Sequence, residues 1–271
     1  MTFRDKLTRA SIRARSLVCV GLDTDSGKLP AGLSGSEGVL AFNREIIRAT
    51  SDLVCAYKPN AAFYEALGSA GIDVLVSSCR SIPCDIPIIL DVKRGDIGNT
   101  AEKYAEAAYD RIGADAVTMN PYMGFDAVKP FLRPGKCAFV LCLTSNPSAE
   151  DFQLRETDGM PLYERVARAA VEWAKAGEIG LVVGATQPGA IRRIRDIVGD
   201  MTILVPGVGA QGGELRRVME GAGGEPGKTI VNSSRDILYA SGGPDYADAA
   251  HARLLRLRDD IAALAGTPGA P

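Results

Sequence analysis

The segment 88–100 contains the residues best suited to chemistry. An apolar run leads into Asp91 and Lys93, and Asp96 follows three residues later. Because residues i and i+2 of an extended strand point to the same face, this spacing predicts that the carboxylate and the ammonium lie side by side. Charges at the end of a buried strand are costly unless they pair or act on a ligand. The segment alone leaves open both a structural ion pair and a catalytic pair.

The elements that must position these charges alternate along the chain. Short runs rich in Val, Ile and Leu, with little polar alternation, are typical of parallel strands buried on both faces. The predicted strands are 17–22, 53–57, 87–92, 116–119, 138–143, 180–183, 202–205 and 229–231. The predicted helices are 37–50, 61–69, 100–111, 161–176, 188–198, 214–219 and 245–265.

Eight strand–helix units in about 250 residues predict an α/β fold, a single (β/α)8 TIM barrel. We expect one barrel domain over residues 1–265 and a disordered tail over 266–271. The rival fold is a doubly wound open sheet. It is disfavoured because the first predicted strand leads into Asp23 and Asp25 rather than a GxGxxG turn, and these acids would repel a pyrophosphate.

Composition excludes several classes of function. The chain has 271 residues, 46% of them hydrophobic, and a net charge of −2, so neither a nucleic-acid surface nor a membrane surface is indicated. The N-terminus shows no apolar signal segment, and we expect a cytoplasmic protein. The only histidine, His251, is predicted at the surface, which disfavours a Ser-His-Asp triad or a His-rich metal site. The six cysteines form no CxxC pair, and four are predicted to be reduced core thiols: Cys19, Cys55, Cys137 and Cys142.

Polar residues follow nearly every predicted strand. Chemistry in a barrel of this kind lies at the carboxyl ends of the strands, so these side chains should converge. They are Asp23, Lys58, Asp91, Lys93, Asp96, Asn120, Thr144, Ser145, Thr186, Ser234 and Arg235. The glycine-rich loop 206–213 leads into a helix, and with Arg235 it predicts a phosphate site. The long polar connection 146–159 is either a mobile lid or a surface insertion.

Two motifs resemble those of the orotidine 5′-phosphate decarboxylase family. They are Asp91-x-Lys93-x-x-Asp96-Ile97-Gly98-Asn99-Thr100 and Pro206-Gly207-Val208-Gly209-Ala210-Gln211-Gly212-Gly213. The layout of residues 144–147 and the length resemble the bacterial subfamily with the longer chain. The resemblance runs from about residue 16 to residue 239. Its Asp-x-Lys-x-x-Asp core is less specific, because related barrel enzymes acting on sugar phosphates share it.

The resemblance implies a reaction and a catalytic set. Orotidine 5′-monophosphate would lose CO2 to give uridine 5′-monophosphate, the last step of de novo synthesis of that nucleotide, without cofactor or metal. Lys93 would donate the proton to C6 of the pyrimidine, and Asp91 would lie beside the substrate carboxylate. Lys58 and Asp96 would complete an alternating network of lysines and aspartates, with Asp96 coming from the other subunit.

The resemblance also implies the remaining contacts. Asp23 and Lys58 would bind the ribose, and Ser145 would hydrogen-bond the pyrimidine. Ile97 and Thr100 would reach the ligand of the neighbouring subunit, so the active unit would be a homodimer. The phosphate would be held by Gln211, Arg235 and the backbone amide of Ser234. Many family members have glycine at this last position, so Ser234 is a departure that affects the shape of the loop rather than its amide.

Two other functions stay open at this point. A sister barrel enzyme could use Mg²⁺ to stabilise an enediolate formed from a sugar phosphate, and it would lose activity in EDTA, unlike the decarboxylase. A non-catalytic nucleotide-binding barrel would bind a phosphorylated ligand without turnover. Lys58 and Gln211 favour the decarboxylase over the first. The proton donor implied at Lys93 argues against the second, because binding alone needs none.

Overall fold

Eight of the apolar runs form parallel strands in the computed structural model, which describes residues 1–185, 188–207 and 212–265. The strands are β1 (Val18–Leu22), β2 (Ala56–Pro59), β3 (Ile89–Arg94), β4 (Ala116–Met119), β5 (Cys137–Leu143), β6 (Glu156–Thr157), β7 (Met160–Pro161), β8 (Glu178–Val183), β9 (Thr202–Pro206) and β10 (Thr229–Ser233). The two-residue strands β6 and β7 pair only with each other, as an antiparallel hairpin.

The order of the main sheet shows that it is a barrel. Its strands follow one another as β2, β1, β10, β9, β8, β5, β4 and β3. Two further parallel bridges, from Tyr57 to Ile88 and from Asn60 to Asp91, join the first strand of this order to the last. The prediction of a (β/α)8 barrel is therefore confirmed.

Helices surround this barrel. They are α1 (Phe3–Ala14), α2 (Gly35–Thr50), α3 (Ala61–Glu65), α4 (Ser69–Ser81), α5 (Gly98–Glu106), α6 (Phe125–Val128), α7 (Leu162–Trp173), α8 (Pro188–Val198), α9 (Gly212–Ala222), α10 (Arg235–Leu238) and α11 (Tyr246–Ala265). Helix α5 continues into a π-helical turn over Ala107–Ile112. Among the described residues, none of the helices combines the length and apolar character that a membrane-spanning helix needs.

Several predicted boundaries were wrong. The predicted helix 61–69 is instead the whole of α3, a break over residues 66–68 and the first residue of α4, because Gly68 has a φ of +69° that a helix cannot contain. The helix α1 was not predicted at all. The strand predicted over 53–57 begins only at Ala56 and extends to Pro59, which places Lys58 within the barrel wall. The predicted tail 266–271 lies outside the described residues.

The barrel interior is apolar at the amino ends of its strands. Side chains from all eight strands fill it: Cys19, Cys55, Ala56, Ile89, Ala116, Cys137, Phe139, Val182, Leu204 and Ile230. Phe3 and Leu7 of α1 pack against this cluster, with Phe3 edge-to-face on Phe139 at 5.6 Å between ring centroids. The amino end of the barrel is therefore sealed, and any ligand must enter from the carboxyl end.

The cysteines and the histidine largely follow the sequence expectations. The four cysteines predicted as core thiols are free and buried, as is Cys79. His251 is half-buried rather than fully exposed, because a ring nitrogen lies 2.7 Å from the carbonyl oxygen of Ala49.

Candidate active site

Asp91 lies at the centre of the charged groups at the carboxyl end of the barrel. Its Oδ2 accepts a hydrogen bond from Lys58 Nζ at 2.9 Å, and its Oδ1 accepts one from Lys93 Nζ at 2.6 Å. The side chains of Lys58 and Asp91 are buried, whereas that of Lys93 is 50% exposed. The predicted pairing of Asp91 with Lys93 is therefore present. Lys93 is the most exposed of the three side chains, whereas Lys58 and Asp91 line the cavity described below.

The backbone that achieves this pairing is not the extended strand assumed from the sequence. Leu90 pairs with Val117 and Arg94 pairs with Met119, so three residues of β3 lie opposite one residue of β4. Within this bulge Lys93 has a φ of +43°, in the left-handed region. Bulges commonly redirect a side chain beside an active site. The alternation rule thus gave the right pair for the wrong reason.

Thr118 of β4 holds this bulge, and the sequence analysis missed it. Its Oγ1 accepts hydrogen bonds from the backbone amides of Val92 and Lys93, both at 3.0 Å, and donates one to Asp91 Oδ1 at 2.8 Å. One signal in the sequence could have identified it. Thr118 is the only residue with a hydroxyl in the apolar strand 116–119, and the polar residue Asn120 follows that strand.

The charges in this group stabilise one another. Burial alone would raise the pKa of Asp91, but the two lysine ammonium groups outweigh it and hold the pKa of that carboxyl well below its ordinary value. Burial alone would lower the pKa of Lys58, and the negative charges of Asp91 and Asp23 outweigh it, so the net pKa of Lys58 is raised. Asp91 and Lys58 therefore remain ionised across the physiological pH range.

A cavity of about 830 Å³ opens beside these charges. Five of the predicted site residues line it: Asp23, Lys58, Asp91, Ser234 and Arg235. Asn60, Gly207, Asn232 and Tyr239 line it as well. This volume suits a ligand of nucleotide size. The lining combines the carboxylates of Asp23 and Asp91 with the cations of Lys58 and Arg235, so it offers acceptors to hydroxyl groups and donors to an anionic group of the same ligand.

Two buried oxygens beside this cavity have no hydrogen-bond partner among the described residues. They are Asp23 Oδ1 and Asn232 Oδ1. Buried polar atoms are nearly always paired, so acceptors left open in a cavity mark places where a ligand can donate. Asp23 was predicted to bind hydroxyl groups of a ribose, and its open acceptor suits that role. Asn232 was not singled out from the sequence, because asparagine within an apolar strand carries no specific motif.

The other predicted residues lie elsewhere. Asp96 is half-buried and accepts from the Ile97 amide at 2.8 Å, while Ile97 and Thr100 are exposed at the start of α5. Ser145 is exposed beyond the end of β5, against Gly184, where a Cβ would have no room. Gln211 and Thr186 lie outside the described residues. A single chain thus brings together the buried lysine–aspartate group, the ribose candidate and Arg235, but not Asp96, Ile97 or Thr100.

The connection predicted as a lid is partly ordered by one side chain. It contains a 3-10 turn over Pro147–Asp151 and the first strand, β6, of the hairpin that β7 completes just beyond it. Gln153 Oε1 accepts from the Thr144 amide at 2.7 Å, and its Nε2 donates to Thr144 Oγ1 at 2.8 Å. The segment is therefore anchored to the end of β5, and its movement over the cavity stays a prediction.

Comparison with known proteins agrees with this geometry. A model of the family described as orotidine 5′-phosphate decarboxylase / HUMPS matches residues 16–250. The orotidine 5′-phosphate decarboxylase of Herpetosiphon aurantiacus is 50% identical over 252 residues, covering 92% of this chain and 93% of that protein. The enzyme of the same name from Cupriavidus metallidurans is 48% identical over 266 residues, covering 96% and 98%.

A solved structure extends this likeness to three dimensions. The OMP decarboxylase of Leishmania donovani superposes with a TM-score of 0.85 at 36% identity, covering 98% of this chain and all of that one. The match to the family model, over residues 16–250, spans the eight barrel strands and both motifs quoted from the sequence. This chain belongs to the orotidine 5′-phosphate decarboxylase family.

Proposed function

We propose that Lys93 is the proton donor in the conversion of orotidine 5′-monophosphate to uridine 5′-monophosphate and CO2 by this chain. The observation that carries the proposal is the geometry around Asp91, where a half-exposed ammonium is held against a buried carboxylate beside a cavity of nucleotide size. The roles of the other site residues are assigned from their positions relative to the Lys93 ammonium.

Lys93 can serve both halves of the reaction. When the bond from C6 to the carboxylate breaks, CO2 leaves and the electron pair stays on C6 of the pyrimidine. An ammonium close to C6 stabilises this developing negative charge and then transfers a proton to the carbon. Two unit charges about 4 Å apart attract by roughly 4 kcal/mol at an effective dielectric of about 20. Asp91 keeps the Lys93 side chain oriented, because Lys93 Nζ donates a hydrogen bond to Asp91 Oδ1 at 2.6 Å.

Asp91 also faces the departing group. Placed beside the substrate carboxylate, it would repel that charge, and the repulsion would vanish as neutral CO2 forms. Lys58 stays paired with the other oxygen of Asp91 and limits the cost of burying the carboxylate. Stabilisation of the transition state by Lys93 remains the main contribution in this proposal.

The remainder of the nucleotide is assigned to the other walls of the cavity. Asp23, with its open Oδ1, and Lys58 bind the ribose, and Ser145 hydrogen-bonds the pyrimidine. Arg235 and the Ser234 amide bind the phosphate at the start of α10, together with Gln211. Because the phosphate is remote from C6, its binding energy can hold the ring in the reactive position.

Asp96, Ile97 and Thr100 are assigned to the site of a second copy of the chain. They lie at the start of α5, outside the cavity of their own chain. Helix α5 and the residue before it expose two large side chains, since Ile97 is 50% exposed and Tyr104 is 37% exposed. Apolar side chains exposed beside an active site favour an interface. We therefore assign a homodimer in which Asp96 of the partner subunit completes the charged group.

Mixed dimers test this shared site. Lys93→Ala and Asp96→Ala are each expected to be inactive alone, yet a mixed dimer has one site that carries neither change. Equal mixing with free exchange should restore roughly a quarter of the parent activity. Two variants that stay inactive after exchange, with mixed dimers detected by mass spectrometry, would place Asp96 in its own chain's site or outside catalysis.

Two further assignments concern the whole chain. Residues 1–265 are assigned to one domain, which predicts a single unfolding transition in urea by both fluorescence and circular dichroism. The protein is assigned to the cytoplasm, which fractionation of the source cells would test.

The direct test is the ultraviolet absorbance of orotidine 5′-monophosphate mixed with EDTA-treated protein. A steady change to the spectrum of uridine 5′-monophosphate is expected, and it would disfavour the enediolate alternative that needs Mg²⁺. The matched control is Lys93→Ala, which should leave the spectrum unchanged. A flat trace from folded parent protein would overturn the proposal and direct the next assay to sugar phosphates with Mg²⁺.

A further inference from the structure

The hydroxyl of Thr118 occupies an unusual position in the barrel wall. The residue is 2% exposed, and its Oγ1 bonds to three consecutive residues of β3: Asp91, Val92 and Lys93. A hydroxyl has one hydrogen to donate and two lone pairs that accept. All three are used here, so the group has no capacity left for water or for a ligand.

This hydroxyl takes the place of a missing part of the sheet. In a regular parallel ladder within a barrel, successive amides such as those of Val92 and Lys93 would bond in turn to carbonyl groups of the two neighbouring strands. The register jumps instead, and Thr118 is the one residue of β4 opposite the bulge. Both amide bonds are part-buried. A fully buried amide without a partner costs about 1–3 kcal/mol, so the side-chain oxygen removes part of such a penalty from the bulge.

The backbone of Lys93 needs such support. A φ of +43° is in the left-handed region, which costs a residue with a Cβ about 1–2 kcal/mol. Conformations of this kind persist only where the surroundings fix them. Two contacts fix this one: the bond from the Lys93 amide to Thr118 and the bond from its Nζ to Asp91.

We propose that Thr118 is a positioning residue that holds the Lys93 ammonium and the Asp91 carboxylate in their reactive arrangement. The inference rests on the proposed role of Lys93 and adds a residue that touches neither reacting atom. Loss of the hydroxyl frees the bulge to relax toward a regular ladder. Lys93 then leaves the left-handed region, and its Nζ moves away from Asp91 Oδ1.

The chain offers a matched control on another strand. Thr202 of β9 is also buried, and its hydroxyl donates to the carbonyl oxygen of Gly227 at 2.7 Å. It lies at the amino end of its strand, away from the cavity. Thr202→Val therefore removes a buried hydroxyl hydrogen bond from the same barrel without touching the bulge.

Kinetics separate a positioning role from a structural one. Thr118→Val keeps the shape of the side chain and should lower kcat about 100-fold with KM changed less than about threefold, because small misplacement of a reacting group costs rate rather than binding. Thr118→Ser restores the hydroxyl and should stay within about tenfold of the parent kcat. Thr202→Val should keep the parent kcat and KM. Should Thr118→Val fail to fold, Thr118→Ala removes the same hydroxyl without a methyl group against the two amides.

A second readout does not depend on turnover. Crystal structures of the parent and the hydroxyl-free variant should show Lys93 at negative φ in the variant, with its Nζ no longer within hydrogen-bond distance of Asp91. A parent-like kcat in that variant, or an unchanged bulge in its crystal structure, would overturn the proposal. A parent protein that does not convert orotidine 5′-monophosphate would instead count against the proposed function, and the crystal comparison would still decide whether Thr118 holds the bulge.

Discussion

The two ends of the barrel each carry a lysine–aspartate pair with a similar distance between nitrogen and oxygen, but the surroundings of the two pairs differ. At the amino end Lys6 of α1 bonds to Asp115 Oδ2 at 2.7 Å, and the same oxygen accepts the Ile88 amide at 2.9 Å. This pair ties the helix that seals the barrel to the start of β4. Neither residue lines the cavity beside Asp91, and neither has a backbone in the left-handed region.

The pair at the carboxyl end is arranged differently. Asp91 is bound by two lysines, one of them in the left-handed region, and unpartnered oxygens of Asp23 and Asn232 lie nearby. Backbone strain and open acceptors are costs that a purely structural ion pair has no reason to bear. These two features distinguish the functional pair from the structural one, and the distances within the pairs do not.

The largest expected difference between the ends is in turnover. Lys93→Ala should lower kcat about 10⁴-fold or more, because it removes both a proton donor and a stabilising charge. Its urea midpoint should stay close to that of the parent, since Asp91 keeps Lys58 and Thr118 as partners. Stopped-flow or steady-state absorbance measures the first quantity and fluorescence the second.

The opposite-end control for this variant is Lys6→Ala, which should lose stability and keep kcat. Comparable turnover in Lys93→Ala and the parent would rule out the assigned proton donor and remove the distinction between the two pairs.

A substitution at the sealed amino end of the barrel should lower the stability of the protein and leave its catalysis unchanged. Phe3→Ala leaves a cavity against Phe139 and should lower the free energy of unfolding by about 3–5 kcal/mol. Its KM and kcat at a temperature where it is folded should match the parent. Ile12→Ala, at a 62% exposed position on the same helix, is the control and should change neither quantity. A large change in KM from Phe3→Ala would mean that the two ends are coupled.

Substitution of Arg235, which lines the cavity, should weaken the binding of the nucleotide. Arg235→Ala should lower kcat/KM about 100-fold or more, because hydrogen bonds to a charged group are worth about 1.5–3 kcal/mol each. Inhibition by uridine 5′-monophosphate should weaken by a similar factor, which isothermal calorimetry can measure. Arg256→Ala on the exposed face of α11 is the control. Unchanged product affinity in Arg235→Ala would move the phosphate to another part of the cavity.

The smallest expected effect is in acid. The pKa of Asp91 is depressed on folding, so its contribution to stability is present above the unfolded value of about 3.9 and is lost as pH falls toward the lower folded value. The raised pKa of Lys58 acts at the other extreme, where its contribution is lost only as pH rises above 10.5. Urea unfolding should therefore show a loss between pH 5 and pH 3, of roughly 1–2 kcal/mol from Asp91.

Asp91→Asn provides the comparison for that measurement. It is less stable at neutral pH, because Lys58 loses its charged partner, but its loss between pH 5 and pH 3 should be smaller than that of the parent. Equal acid dependence in the two proteins would show that other carboxylates dominate.

Some of this architecture follows from local pattern. The eight strands were predicted from apolar runs alone, because a parallel strand that is buried on both faces needs a nearly continuous run of hydrophobic residues. The helix α1 was missed because it precedes the first strand and therefore lies outside the alternation of strands and helices. The start of β2 was misplaced by three residues, because Leu53 and Val54 are buried without being in the strand.

The sequence by itself determined the type of fold and the polar residues that lie near the carboxyl ends of the strands, including the pair Asp91 and Lys93, because these depend on short-range periodicity. Only the tertiary structure decided that Lys58, 33 residues away in the chain, bonds to the second oxygen of Asp91. It also decided that Thr118, on a different strand, holds Lys93 in a left-handed backbone. Closure of the barrel and the register between strands create these contacts, and both arise from pairing between distant segments that no local pattern encodes.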